Sequence, residues 1–207
     1  GGLDGNTSSG KHDILLVKYN SDGSKQWLQQ FGSSSNDMGL HVDVDSKGNI
    51  YVTGYTEGGL DGNTNSGNRD IFLVKYNSSG TKQWTQQLGT PTTEEGNGVA
   101  VDSSDNIYVT RWTGGKLETY SGGNDTILVK YNSSGTKQWT RQFGAPSFLK
   151  RDDEYQTSQM TTSADIGAGV AVDSSGNIFV TGSTEGGMDG NTNSGKSDIF
   201  LVKYNSM

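Results

Sequence analysis

Apolar positions along the chain fall in short runs separated by polar clusters. Ile14-Leu15-Leu16-Val17, Ile71-Phe72-Leu73-Val74, Ile127-Leu128-Val129 and Ile199-Phe200-Leu201-Val202 each lie between an Asp and a Lys-Tyr-Asn. Runs this short, bounded by Gly, Asn and Ser, predict strands rather than helices. Successive side chains of a strand point to opposite faces, so an unbroken apolar run needs cover on both. Ile107-Tyr108-Val109-Thr110 is a second kind of segment, rich in β-formers. Gly98-Val99-Ala100-Val101 is a third, short and built of small residues. The fourth, Thr136 to Phe143, is polar enough for a sheet edge, where Lys discourages unwanted pairing.

These segments recur in a constant order. DILLVKYN starts at Asp13, DIFLVKYN at Asp70, DTILVKYN at Asp125 and DIFLVKYN again at Asp198, at spacings of 57, 55 and 73. Lys-Gln-Trp recurs at 25–27, 82–84 and 137–139, and GNIYVTG (48–54) returns as DNIYVTR from Asp105 and GNIFVTG from Gly176. A unit of four antiparallel strands covered on both faces is a propeller blade. The small residues of the first strand suit the crowded axis, and the Trp of the fourth suits the gap between blades.

In that order the chain opens on the last two strands of one blade (1–31). Whole blades follow at 39–88 and 96–143, then an insertion at 144–166, then the first three strands of another blade at 167–207. The expected architecture is all-β, a single array of thirteen strands, about three and a quarter blades. A closed propeller needs at least about four blades. The array is therefore either incomplete, the preferred reading, or completed by other chains. A head-to-tail contact that fails to close gives filaments.

GVAVDSSGNIFVTG (169–182) followed by DIFLVKYN, together with GTKQW, resembles the bacterial SBBP β-propeller repeat. The GVAVD…NIYV half is also similar to NHL-type repeats. The resemblance covers nearly all of the chain outside roughly 146–164. It implies a secreted or surface-associated bacterial protein and carries over no catalytic residue.

Composition adds limits. Leu, Ile, Val and Phe number 39 of 207 residues, a share that by itself borders on disorder. The repeat removes that ambiguity, because the 39 are concentrated in strands. No apolar stretch approaches the length of a membrane-spanning helix, so no membrane insertion is expected. A net charge of −7 with scattered Lys and Arg leaves no nucleic-acid footprint. The absence of cysteine excludes disulfides and thiol chemistry. A first residue of Gly1 and no signal-peptide pattern read as a processed or partial chain.

Candidate chemistry sits in the long loops, which blade topology places on one face of the scaffold. Asp61, Asn63 and Asn65 alternate as oxygen ligands with Asp70 following; Asp189, Asn191, Asn193 and Asp198 repeat the pattern, and Asp4 and Asn6 begin it. Alternating oxygens suit a hard cation such as Ca²⁺. The EF-hand Gly and Glu positions are not matched, however, and the same residues build a turn through Asx hydrogen bonds. The turn is the favoured alternative. Trp112 and Tyr120 match no repeat position and are candidates for stacking on a partner, against packing on the insertion. Lys150, Arg151 and Tyr155 give the insertion a partner-contacting character, against a simply solvated loop. Neither His12 nor His41 has a motif-placed nucleophile, and no phosphate loop, HExxH or GxSxG occurs.

The sequence reading is therefore a non-enzymatic extracellular or cell-surface module for protein interaction, adhesion or self-assembly. Its expected partners are further blades, copies of itself, or a surface protein or glycan. No cofactor other than calcium is expected. The alternatives are a Ca²⁺-assisted glycan-binding propeller and, less favoured, a polysaccharide-active enzyme.

Overall fold

A computed structural model describes residues 1–117, 123–146, 148–152, 157–161 and 163–205. Strands β1 (Ile14–Tyr19) and β2 (Lys25–Phe31) form an antiparallel pair. Strands β3 (Asp37–Val44), β4 (Ile50–Thr56), β5 (Asp70–Tyr76) and β6 (Lys82–Leu88) form a four-stranded sheet in sequence order. Strands β7 (Glu94–Val101), β8 (Ile107–Thr113), β9 (Asp125–Tyr131) and β10 (Lys137–Phe143) form the next. A hairpin of β11 (Phe148–Asp152) and β12 (Thr157–Thr161) precedes a three-stranded sheet of β13 (Asp165–Val172), β14 (Ile178–Thr184) and β15 (Asp198–Tyr204). The thirteen strands expected of the blades are all present. The hairpin lies within the insertion, and β13 starts at Asp165, inside the segment that the sequence reading assigned to the insertion.

Two irregularities recur and explain the motifs. The first strand carries a bulge at one place in every copy, between Gly39 and His41, Gly96 and Gly98, and Gly167 and Gly169. The fourth strand slips register at the Gln of Lys-Gln-Trp, so that Lys75 opposes Trp84 and Tyr76 opposes Lys82. Such a bulge places two residues opposite one and sharpens the local twist.

The blades stack through their apolar faces. Ile14, Leu16 and Phe31 pack on Ile50, Val52, Phe72, Val74 and Tyr76. The opposite face of that sheet, Tyr51, Ile71 and Leu73, packs on Val99, Ile107, Val109, Ile127 and Val129. Tyr108 and Leu128 continue onto Ile178, Val180 and Phe200. This alternation is why the third strand is apolar on both sides. On the innermost strands, a Cβ at Gly98 would stand 3.3 Å from Gly169 Cα of the next blade, so close approach requires the small residue.

The recurring Trp clamps the neighbouring blade, as its repeat position implied. The Trp27 ring lies against Gly80, whose φ of +80° suits glycine, and Trp84 lies in the same way against Gly135 at φ +82°. Lys18 Nζ donates to Ser78 O at 2.9 Å, and Lys75 Nζ to Ser133 O at 3.2 Å, in the same two turns.

Candidate functional site

The first-to-second-strand turns are built by an Asp that gathers its own loop. Asp102 accepts the Ser104 and Asn106 N–H groups, the Asn106 amide and the Tyr108 hydroxyl. Asp45 makes the equivalent set with Lys47, Asn49 and Tyr51. Burial pushes both carboxyls up, but these hydrogen bonds outweigh it and hold them below the ordinary value. These acids are structural.

The opposite end carries the long loops. Asp4, Asp61 and Asp189 each adopt φ +51°, followed by a Gly at +80° to +83°. Asn6, Asn63 and Asn191 donate their side-chain amides to Leu3 O, Leu60 O and Met188 O. Asn65 and Asn193 donate to Thr56 O and Thr184 O while accepting from Gly67 N and Gly195 N. Asp70 and Asp198 accept the N–H of Ser66 and Ser194. Asp4 pairs with Lys25, and Asp61 pairs with Lys82 and accepts from the Thr85 hydroxyl. Burial pushes Asp61 up, but Lys82 and Thr85 hold it below the ordinary range. As a donor set for Ca²⁺, these residues are turned towards different partners: the amides close turns, while Asp61 and Asp70 answer separate groups. Among the described residues, no three His, Cys, Asp or Glu side chains gather where a metal ion could be held.

Three of the long loops, those at 1–6, 58–65 and 115–117, are each locked by one Gln from the fourth strand. Gln87 Oε1 accepts the Leu60 N–H at 3.0 Å, and its Nε2 donates to Gly58 O at 3.1 Å and Asp70 Oδ2 at 3.0 Å. Gln142 repeats this with Leu117 N at 2.9 Å, Gly115 O at 3.1 Å and Asp125 Oδ2 at 2.9 Å. Gln30 repeats it with Leu3 N, Gly1 O and Asp13 Oδ2.

Trp112 is half-buried and lines an open cleft of about 760 Å³ with Ser35, Glu57, Asn68, Arg69 and Glu95. Arg69 pairs with Glu57 at 3.2 Å and with Glu95, and its guanidinium lies 4.2 Å over the Tyr55 ring. Burial lowers the Arg69 pKa, but Glu95, Tyr55 and Glu57 together raise it above the ordinary value. Behind the cleft, Arg111 is fully buried where the sister copies carry Gly54 and Gly182. Burial pulls its pKa well down against the opposing charges of Glu94, Glu95 and Asp70.

The sequence reading singled out Trp112 here but missed Arg69, Glu57, Glu95 and Arg111. The available signal was Arg111, which closes DNIYVTR where both sister copies close on Gly. Lys150 and Arg151 lie on β11, opposite Gln159 and Ser158. Tyr120 and Tyr155 lie outside the described residues. His12 is exposed beside Asn36, and His41 Nδ1 accepts the Val99 N–H on the innermost strand of the next blade.

Similarity to known proteins agrees with this geometry. The chain is 30% identical over 146 residues to an uncharacterized WD repeat-containing protein of Acanthamoeba polyphaga mimivirus, covering 61% of this chain and 10% of that protein. It is 29% identical over 163 residues to the regulatory protein FlaEY of Caulobacter vibrioides, covering 69% of this chain and 17% of that protein. The chain thus spans less than a fifth of either relative's length. Residues 26–61, 83–118 and 138–187 match the SBBP family, a beta-propeller repeat, and the chain belongs to that family.

Proposed function

We propose that this chain is a non-enzymatic protein-interaction module of an extracellular or cell-surface protein, and that its partners are propeller blades of the same kind. One comparison within the molecule carries the reading. DIFLVKYN occurs twice. In the first copy Ile71 and Leu73 are 3% and 1% exposed under the next blade; in the second, Ile199 and Leu201 are 87% and 70% exposed. At the other end of the array, Leu15, Leu40, Val42 and Val44 are exposed. The two open ends offer opposite faces of a blade, the two kinds that meet at every internal junction. Covering an Ile or Leu side chain contributes about 1.5–3 kcal/mol. Head-to-tail association of this type closes into rings or runs on as filaments.

Analytical ultracentrifugation across a concentration series tests the reading. Mass should rise with concentration, and Ile199→Lys with Leu201→Lys should abolish the rise. A chain that stays monomeric throughout would sink the self-association reading. A glycan-binding role for the Trp112 cleft predicts binding on a glycan array that is lost in Trp112→Ala.

A further inference from the structure

At the end of the second strand, one blade departs from both of its sister copies. The three copies read Gly54-Tyr55-Thr56, Arg111-Trp112-Thr113 and Gly182-Ser183-Thr184. Arg111 is fully buried, and its two terminal nitrogens meet no hydrogen-bond partner among the described residues. Its Nε donates to Trp112 O, and its guanidinium carbon stands 5.5 Å from the centre of the Trp112 ring. Burying a guanidinium with unpaired nitrogens is costly. The glycines of the sister copies show that the blade itself does not need it. Breaches of this kind gather where a fold serves a function. Here the breach borders the cleft of about 760 Å³, which is built from the two whole blades and the connections leading into them.

The polar wall of the cleft is fixed in advance. Arg69 lies between Glu57 and Glu95 and pairs with both. Asn36 Nδ2 donates to Glu57 Oε2 at 2.7 Å, and Asn36 Oδ1 lies 2.8 Å from His12 Nδ1. The Asn36 amide holds the Glu57 carboxyl below its ordinary value; burial opposes this and Arg69 adds to it. A carboxylate offers about four lone-pair sites, so acceptor capacity remains beside each of these bonds. We infer that this cleft binds one neutral pyranose ring, stacked on Trp112 and held through its hydroxyls by Glu57, Glu95 and Asn68, without a metal ion. The inference deepens the glycan reading of the cleft and rests on it. Charge selects the class of ligand. Two carboxylates and one guanidinium line the cleft, so an acidic sugar or a phosphate meets a net negative wall. A cation has to displace Arg69 from both of its partners. A hydroxyl both donates and accepts, so it can answer a carboxylate and the Asn68 amide together. The apolar face of the ring takes an aromatic surface, which Trp112 supplies and Ser183 at the sister position does not. Arg111 acts on the Trp112 ring as a positioning residue.

The test is a glycan array probed with the labelled intact chain, followed by calorimetric titration of the best-bound oligosaccharide. Neutral glycans should bind at one site per chain, equally in Ca²⁺ and in chelator. Trp112→Ala should weaken binding by about tenfold or more, and Glu95→Gln by about threefold or more. Arg111→Met should weaken it by about threefold, and Arg111→Lys, which keeps a cation at the ring, should recover most of the loss. Gln83→Ala, exposed on β6, should leave affinity within about twofold. Deoxy analogues of the bound sugar should lose about threefold or more at one hydroxyl at least, and they carry the test if a variant fails to fold. Binding confined to acidic glycans, or dependent on Ca²⁺, overturns the inference and leaves the glycan reading standing. Full affinity in Trp112→Ala places the site elsewhere and overturns it as well. An array with no bound glycan removes both, and a Lys- or Arg-rich peptide bound there instead would give the two acids to a basic partner.

Discussion

Gln87→Ala tests whether the fourth-strand Gln holds its loop. Gln87 is half-buried, and its partners are Gly58 and Leu60 of the loop and Asp70 at the start of β5. Truncation leaves the N–H of Leu60, which is 1% exposed, without its acceptor and strips one donor from the buried Asp70 carboxylate. An orphaned buried polar group costs about 1–3 kcal/mol, and a bond to a charged group lies at the upper end. Water can reach the half-exposed side, which offsets part of this, so a loss of about 3 kcal/mol is expected. With a urea slope of about 2–3 kcal/mol per molar, the unfolding midpoint should fall by roughly 1 M or more. Gln83→Ala, which loses one bond to Thr81 O at an exposed site, should stay within about 0.5 kcal/mol. If the two variants shift the midpoint equally, the locking role is wrong and the repeated Gln is only a sheet-edge residue.

Three further outcomes are expected. Gly135→Ala, at φ +82° with its added Cβ 2.9 Å from the Trp84 ring, should cost more than Gly62→Ala, at φ +83° in open space. Backbone strain alone is about 1–2 kcal/mol, and equal losses in thermal melts would deny the Trp clamp. Because Asp45, Asp102 and Asp173 titrate below the ordinary carboxylate value, the stability they contribute should persist at neutral pH and fall away as pH drops through their lowered values. Asp165 acts in the opposite sense: burial, with Asp125 adding, raises it, so its contribution grows as pH falls. Chemical denaturation from neutral to acid pH, with Asp102→Asn alongside, reads both trends, and an unchanged acid limb in Asp102→Asn would count against the assignment. Finally, Ca²⁺ or chelator should leave the melting temperature unmoved, because Lys82 and Lys25 already answer Asp61 and Asp4. A saturable rise with Ca²⁺ would place an ion in the loops.

Much of the fold was legible because it is local. The Asn-Ser-Ser-Gly turns, the alternating second strand and the doubly apolar third strand each declare themselves within ten residues, and repetition confirmed them. The bulges were not legible, since register slips leave no mark on periodicity. The Gln socket was visible only as repeated letters: Gln87 and Leu60 are 27 positions apart, and nothing in either segment announces the bond. Arg69 and its two acids escaped notice because Glu57 and Arg69, from the β4–β5 connection, meet Glu95 only when that connection folds against the start of β7 in the next blade. Arg111 was conspicuous as a departure from glycine, but its burial among Asp70, Glu94 and Glu95 depends on the neighbouring blade.

The residues alone specify the blade: which segments are strands, where they turn, and which need cover on both faces. They do so because pleat, turn chemistry and side-chain size act over a few positions. Burial is decided elsewhere. The same eight residues, DIFLVKYN, are sealed at 70–77 and half open at 198–205, because covering a face takes a second sheet and no strand carries its own.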